Sequence, residues 1–163
     1  MKLLFIFFIL TFVVSAQSKI MTDEKSQKPM FVGLGDRTVF EDSSFSGWFN
    51  EEYSSYKINE EIFEEVSEKL KEVDITIVLG TWCSDSRREV LRFLKILDQL
   101  SFPENKIKYI FVDRKKKGLS DEVDSLNIEF VPTIIFYRVG EEIGRIIETP
   151  DETLEEDLIS IVD

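Results

Sequence analysis

"ITIVLGTWCSDSRREVLRFLKIL", residues 75–97, is the stretch on which the reading of this chain turns. Ile75 to Gly80 is a continuous apolar run rich in β-branched residues, the pattern of a central strand buried on both faces. Further on, Val90, Phe93, Leu94, Leu97 and Leu100 fall on one helical face, and Arg87, Arg88, Arg92, Lys95 and Asp98 mark the other. Between strand and helix stands Cys83, the only cysteine of the chain, with Ser86 where the second cysteine of a CxxC pair would be. A cysteine at a helix start meets the positive end of the macrodipole and unpaired N–H groups. The thiolate is the reactive form, and the Ser86 hydroxyl, one turn on, can donate to it. Arg87 and Arg88 add positive field and Asp85 opposes it, so the setting predicts a thiol more acidic than a free cysteine. The polar neighbours Ser84, Asp85, Arg87 and Arg88 predict a wet helix end with Cys83 partly exposed.

Working outward, Asn59 is a candidate N-cap for a helix carrying Ile62, Phe63, Val66, Leu70 and Val73. Residues 106–113 read as a strand and 119–126 as a short helix. Residues 133–139 and 142–148 read as two strands joined by Gly140 and Glu141, an antiparallel hairpin. Thr149, Pro150 and Glu152 then supply the cap, first position and capping box of a last helix. The predicted fold class is α/β, with a central mixed sheet, helices on both faces and an antiparallel C-terminal hairpin. Upstream, Phe45, Trp48, Phe49, Tyr53 and Tyr56 fit one face of a helix packed on the domain; the functional alternative is an aromatic binding patch. "DRKKKG", residues 113–118, reads as a solvated turn, or else as a basic run facing the cysteine.

Composition narrows the function. The chain has 163 residues, enough for one ordinary domain, and a formal charge of −12, which disfavours binding to nucleic acid phosphates. It has no histidine, which excludes Ser-His and Cys-His catalysis within the chain and removes the commonest transition-metal ligand. A single cysteine builds no Cys-rich zinc site. Neither a metal nor a cofactor is expected. At the start, Lys2, the apolar run at 3–14 and "VSA" before Gln17 read as a cleaved signal peptide, too short for the ~20 residues of a spanning helix. The predicted division is a signal peptide at 1–16, a flexible tether at 17–29, an aromatic-rich extension packed on the domain at 30–58, and the domain proper at 59–163. The expected location is periplasmic or extracellular, with no stable membrane anchor after cleavage.

"TWCSDS" at 81–86, between a buried strand and a long helix, followed by "FVPT" at 130–133 ahead of a hairpin, resembles the thioredoxin superfamily over roughly residues 59–163. More narrowly, "WCSDSRREVLRFLKILD" at 82–98 is similar to exported thioredoxin-like proteins of Bacteroidetes-type bacteria with a single-cysteine WCSDS motif, as is the upstream "WF…Y..Y" segment. The resemblance implies that Cys83 is the exposed nucleophile, that Trp82 shapes the site, and that Pro132 is a cis-proline facing the cysteine. It also implies that the Val131 backbone pairs with an extended substrate peptide. Three positions depart from the family: Ser86 replaces the resolving cysteine, Ile77 stands where reductases keep a buried acid, and Leu91 stands where many members have a kinking proline.

Without a second cysteine the chain forms no internal disulfide, so release of a mixed disulfide needs another thiol. The expected activity is monothiol exchange on protein or peptide thiols and disulfides, by isomerisation or mixed-disulfide formation, with recycling by the substrate's own thiol or by a separate reductant. The alternative is a thioredoxin-fold binding module or holdase in which Cys83 is vestigial.

Overall fold

The computed structural model describes residues 18–60 and 63–163; the segment 1–16 expected to be a signal peptide, Gln17 and Ile62 lie outside the described residues. Six strands form one mixed sheet: β1 Ser18–Thr22, β2 Pro29–Gly35, β3 Val73–Leu79, β4 Ile107–Phe111, β5 Thr133–Arg138 and β6 Glu141–Ile147, in the order β1-β2-β4-β3-β5-β6. β3 is central, parallel to β4 and antiparallel to β5. Its residues from Ile75 to Leu79 are all buried, as a strand enclosed on both faces requires. The helices are α1 Ser46–Ser55, α2 Phe63–Lys69, α3 Ser84–Gln99 and α4 Leu154–Val162. Among the described residues no helix is long and apolar enough to cross a membrane.

The distribution of helices differs from the expectation of cover on both faces. Apolar residues of all four join one cluster with Val73, Ile75, Ile77 and Leu79 of β3, including an edge-to-face contact between Phe93 and Phe136 with centroids 5.8 Å apart. The other face carries Val78 and Ile110 and is covered by Val112, Val123 and Val131 of the connection between β4 and β5. The helix expected at 119–126 is absent there. Asp124 and Leu126 instead donate to the carbonyls three residues back, Asp121 and Val123, as turns do. Of the segment's three apolar residues, Leu119 stays exposed and only Val123 and Leu126 pack inward, and its Ser and Asp side chains favour turns over helix interiors.

Residues 18–22, expected within a flexible tether, form the edge strand β1, paired with β2, and β2 in turn pairs with β4. The hairpin therefore extends the sheet itself. α1 packs along α3, and the polar face of α3 is its dock: Arg92 pairs with Glu52 at 3.2 Å, and Lys95 donates to the Tyr56 carbonyl at 2.7 Å. The helix expected from Asn59 to Val73 is shorter. α2 tightens into a 3-10 turn at Leu70–Glu72, and Val73 already belongs to β3.

The last helix begins four residues later than expected. Thr153, not Thr149, is the N-cap, accepting from the Glu156 N–H at 3.1 Å. "TPDE" and "TLEE" fit the same capping template, but Asp151 and Glu152 spend their N–H groups on the Asp157 carboxylate, outside the helix. The β5–β6 turn is also displaced by one residue. Arg138 pairs with Glu141, so Val139 and Gly140 make the turn, with φ of 54° and 80°. Two positive φ values define a type I′ turn, which favours Asn-Gly. Val139 is 90% exposed and so gains nothing from packing. Val139→Asn is expected to stabilise the fold by about 1 kcal/mol, since a β-branched residue strains in the left-handed region. Scanning calorimetry checks this as a rise in Tm of roughly 2–4 °C; an unchanged or lower Tm would contradict it.

Candidate functional site

The end of β3 places the site. After Leu79 the chain turns at Gly80, whose carbonyl accepts the Cys83 N–H at 2.9 Å. Thr81 is buried, and its hydroxyl accepts the Phe31 N–H from β2 at 3.1 Å. The Trp82 indole donates to the Val112 carbonyl at 2.9 Å, tying this loop to the end of β4. Cys83 is the N-cap of α3, with extended φ and ψ of −89° and 129°, and is partly exposed. Its thiol donates to the Val131 carbonyl at 3.2 Å. The Val131–Pro132 bond is cis, and both residues are buried. The structure thus brings Trp82, Cys83, Val131 and Pro132 together. It also commits the carbonyl of Val131, whose backbone is expected to pair with a substrate peptide, to the thiol.

Ser86 is placed otherwise than expected. It is 1% exposed, and its hydroxyl accepts the Gly80 N–H at 3.2 Å. Among the described residues no hydrogen bond joins it to Cys83, and the bond it accepts holds the turn that precedes the cysteine. Ile77 is fully buried in the main cluster, and α3 runs unbroken through Leu91.

The charges around the cysteine divide into tied and untied groups. Asp85 is neutralised by Arg88 at 2.9 Å, and Arg88 also holds the buried Glu89 at 2.5 Å. Arg87 turns back, its Nε donating to the Thr81 carbonyl at 2.8 Å and its guanidinium lying 5.3 Å from the Trp48 ring centroid. Burial lowers its pKa, and the charge of Cys83 opposes that shift.

Arg114 heads the basic run and does not stand apart from its neighbours in the sequence. Its guanidinium lies 4.8 Å from the Trp82 ring centroid and grips Asp23 with two bonds of 2.6 and 2.8 Å. Asp23 is only 2% exposed, and Arg114, with further donors from Ser26 and Lys25, holds its carboxyl well below the usual carboxylate range. Asp23 in turn raises the pKa of Arg114, with a smaller contribution from Cys83. The rest of the run is the solvated turn expected, with Lys115 and Lys117 exposed. The signal for Arg114 was its position, directly after a strand parallel to β3, where loops share one edge. Nothing in the local sequence marks Asp23, because its partner lies 91 residues away.

No family model matches the chain, and no curated protein matches it. Among solved structures it is similar to a protein of unknown function from Pseudomonas aeruginosa, at 14% identity and a TM-score of 0.54, covering 79% of this chain and 92% of that one. An HIV epitope-scaffold is similar at 14% identity and a TM-score of 0.53 over the same shares. At such identities the likeness is one of fold. The order β3, Cys83, α3, β4, Pro132, β5, β6, α4 is thioredoxin-like. The oxidised thioredoxin of Plasmodium falciparum is also similar, at 19% identity and a TM-score of 0.40, covering 65% of this chain and 94% of that one.

Proposed function

We propose that the protein carries out monothiol thiol–disulfide exchange through Cys83. The observation that carries this reading is the placement of a partly exposed sulfur 3.2 Å from the Val131 carbonyl, at the end of a buried strand and the start of a long helix. The Cys83 thiolate attacks one sulfur of a disulfide; that S–S bond breaks, a mixed disulfide forms, and the departing thiolate takes a proton from solvent. A second thiol, from the substrate or from a small molecule, then attacks the mixed disulfide and releases Cys83. Trp82 and Pro132 shape the approach, and Ser86 and Arg87 hold the loop. The working compartment under this reading is outside the cytosol, motivated by the segment at 1–16. Intact mass tests that part: a mature chain starting at Gln17 is expected, and a retained Met1 in a membrane fraction would overturn it.

A second reading, a binding module with an inert cysteine, is favoured by the packing of Cys83 against the apolar cluster of Val78, Ile110 and Val131. Alkylation separates the two. In the folded protein, iodoacetamide is expected to modify Cys83 readily, and a peptide disulfide is expected to form an adduct that dithiothreitol releases. Protection of Cys83 until global unfolding leaves only the binding-module reading.

A further inference from the structure

Among the described residues, one of the two arginines nearest Cys83 in sequence has no acidic partner. Arg37, Arg88, Arg92, Arg114 and Arg145 each hold a carboxylate, and Arg138 donates to the Val162 carbonyl. Arg87 spends only its Nε, on Thr81. Among the described residues its two terminal nitrogens make no hydrogen bond and no ion pair. In a chain with 32 acidic and 20 basic residues, such an omission is unusual. The guanidinium is partly desolvated, which makes an uncompensated charge costly to hold.

Arg87 opens onto a cavity of about 220 Å³ lined by Lys28, Pro29, Ser44, Phe45, Trp48 and Arg87. Two lining residues are cationic and none is acidic. Lys28 is exposed and makes no ion pair among the described residues. The acid close in sequence, Asp42, is engaged with the Ser44 N–H at 2.8 Å and lines a neighbouring cavity instead. Trp48 and Phe45 form an apolar wall, and the Arg87–Trp48 contact fixes the guanidinium plane against it. The cavity adjoins the reactive loop, since Arg87 bonds the Thr81 carbonyl and its own N–H donates to the Cys83 carbonyl at 3.2 Å.

We infer that this cavity binds the carboxylate of a small thiol or of its disulfide, and so selects the reagent that exchanges with Cys83. The inference rests on the exchange reading above and names the class of the second thiol that the chain lacks. A guanidinium with both terminal nitrogens unspent suits a carboxylate in bidentate fashion, and Lys28 supplies a second, exposed cation. The volume suits a small molecule rather than a folded partner. With the carboxylate seated, one sulfur of a disulfide R–S–S–R meets the Cys83 thiolate. The R–S–S–R bond breaks, Cys83–S–S–R forms, and R–S⁻ leaves and is protonated by solvent. The R group is later passed on, or Cys83 released, by attack of another thiol. Sulfur alone changes oxidation state throughout.

The test compares three small symmetric disulfides: dithiodipropionate, which is anionic; bis(2-hydroxyethyl) disulfide, which is neutral; and cystamine, which is cationic. Initial rates of adduct formation on Cys83 are read by intact mass, each divided by the rate of the same disulfide with free 2-mercaptoethanol. The anionic reagent is expected to react about tenfold faster than the neutral one, as charge-assisted hydrogen bonds to Arg87 imply. This runs against the net charge of the chain, which by itself favours cystamine. Excess acetate is expected to reduce the preference more than chloride at equal ionic strength. Arg87→Gln should lower the anionic-to-neutral ratio. Because Arg87 also supports Thr81 and Trp48, Lys28→Gln, at an exposed position, provides a second arm in which the same ratio falls. An anionic rate no higher than the neutral rate, or a ratio unchanged in both variants, overturns the inference while leaving exchange intact. Failure of Cys83 to react with the neutral disulfide and with iodoacetamide overturns the exchange reading, and this inference with it.

Discussion

Ser86→Cys is expected to turn this single-cysteine protein into a disulfide reductase, with insulin reduction by dithiothreitol accelerated at least about tenfold over the parent, because the second attack becomes intramolecular. The position is already prepared. Ser86 follows Cys83 by one turn, is buried, and faces the Gly80 turn. Cys83 is an N-cap with extended backbone, so its side chain is not confined to the spacing of two residues within a helix. The substitution weakens one buried bond, from the Gly80 N–H to a sulfur that accepts poorly, at about 0.5–1.5 kcal/mol. Some stability is therefore lost as activity is gained. Insulin turbidity for parent and variant decides the point. Equal, negligible rates with an intact fold would mean that the approach around Pro132, and not the missing thiol, limits the reaction.

Gly80→Ala is expected to disorganise the same site from the other side. A Cβ at residue 80 would lie 2.6 Å from Cε2 and 2.7 Å from Nε1 of the Trp82 ring. That ring cannot swing aside freely, since its Nε1 is bonded to the Val112 carbonyl and Arg114 lies over its face. Either the bond breaks or the turn shifts, at about 1–3 kcal/mol for an overpacked site. The expected result is a Tm lower by several degrees and a red shift of Trp82 emission, read in a Trp48→Phe background so that only one indole reports. Unchanged Tm and emission together would show that the close approach at Gly80 carries no constraint.

Much of this site was legible locally. The run Ile75–Leu79 had to be a doubly buried strand, the apolar stripe through Val90, Phe93, Leu94 and Leu97 had to be a helix, and Cys83 had to fall at their junction. The pairing of Val131–Pro132 with Cys83 came from the resemblance, since no local rule brings together residues 48 apart. Errors arose where a weak local signal had a tertiary arbiter. β1 is five mixed residues whose strand state depends on pairing with β2. Thr149 and Thr153 offered equal caps, and the Asp157 carboxylate decided between them. Val139 at a left-handed position contradicts its own propensity, so the turn lies one residue earlier than the sequence predicts. The donation expected of Ser86 rested on spacing alone; in the structure its oxygen accepts the Gly80 N–H, a bond that uses a lone pair and not the hydroxyl proton.

The grip of Asp23 on Arg114 has a kinetic consequence. Asp23 opens the loop between β1 and β2, at the outer edge of the sheet, and edge hairpins open at free energies below that of global unfolding. Each opening withdraws the carboxylate from the arginine that lies over Trp82, and takes the Phe31 N–H from Thr81. Amide hydrogen exchange along β1 and β2 should therefore track the same fluctuation that loosens the surroundings of the sulfur. Thiol reactivity should then follow the temperature dependence of a fraying edge, even though the strand and helix that present the cysteine are anchored in the main apolar cluster.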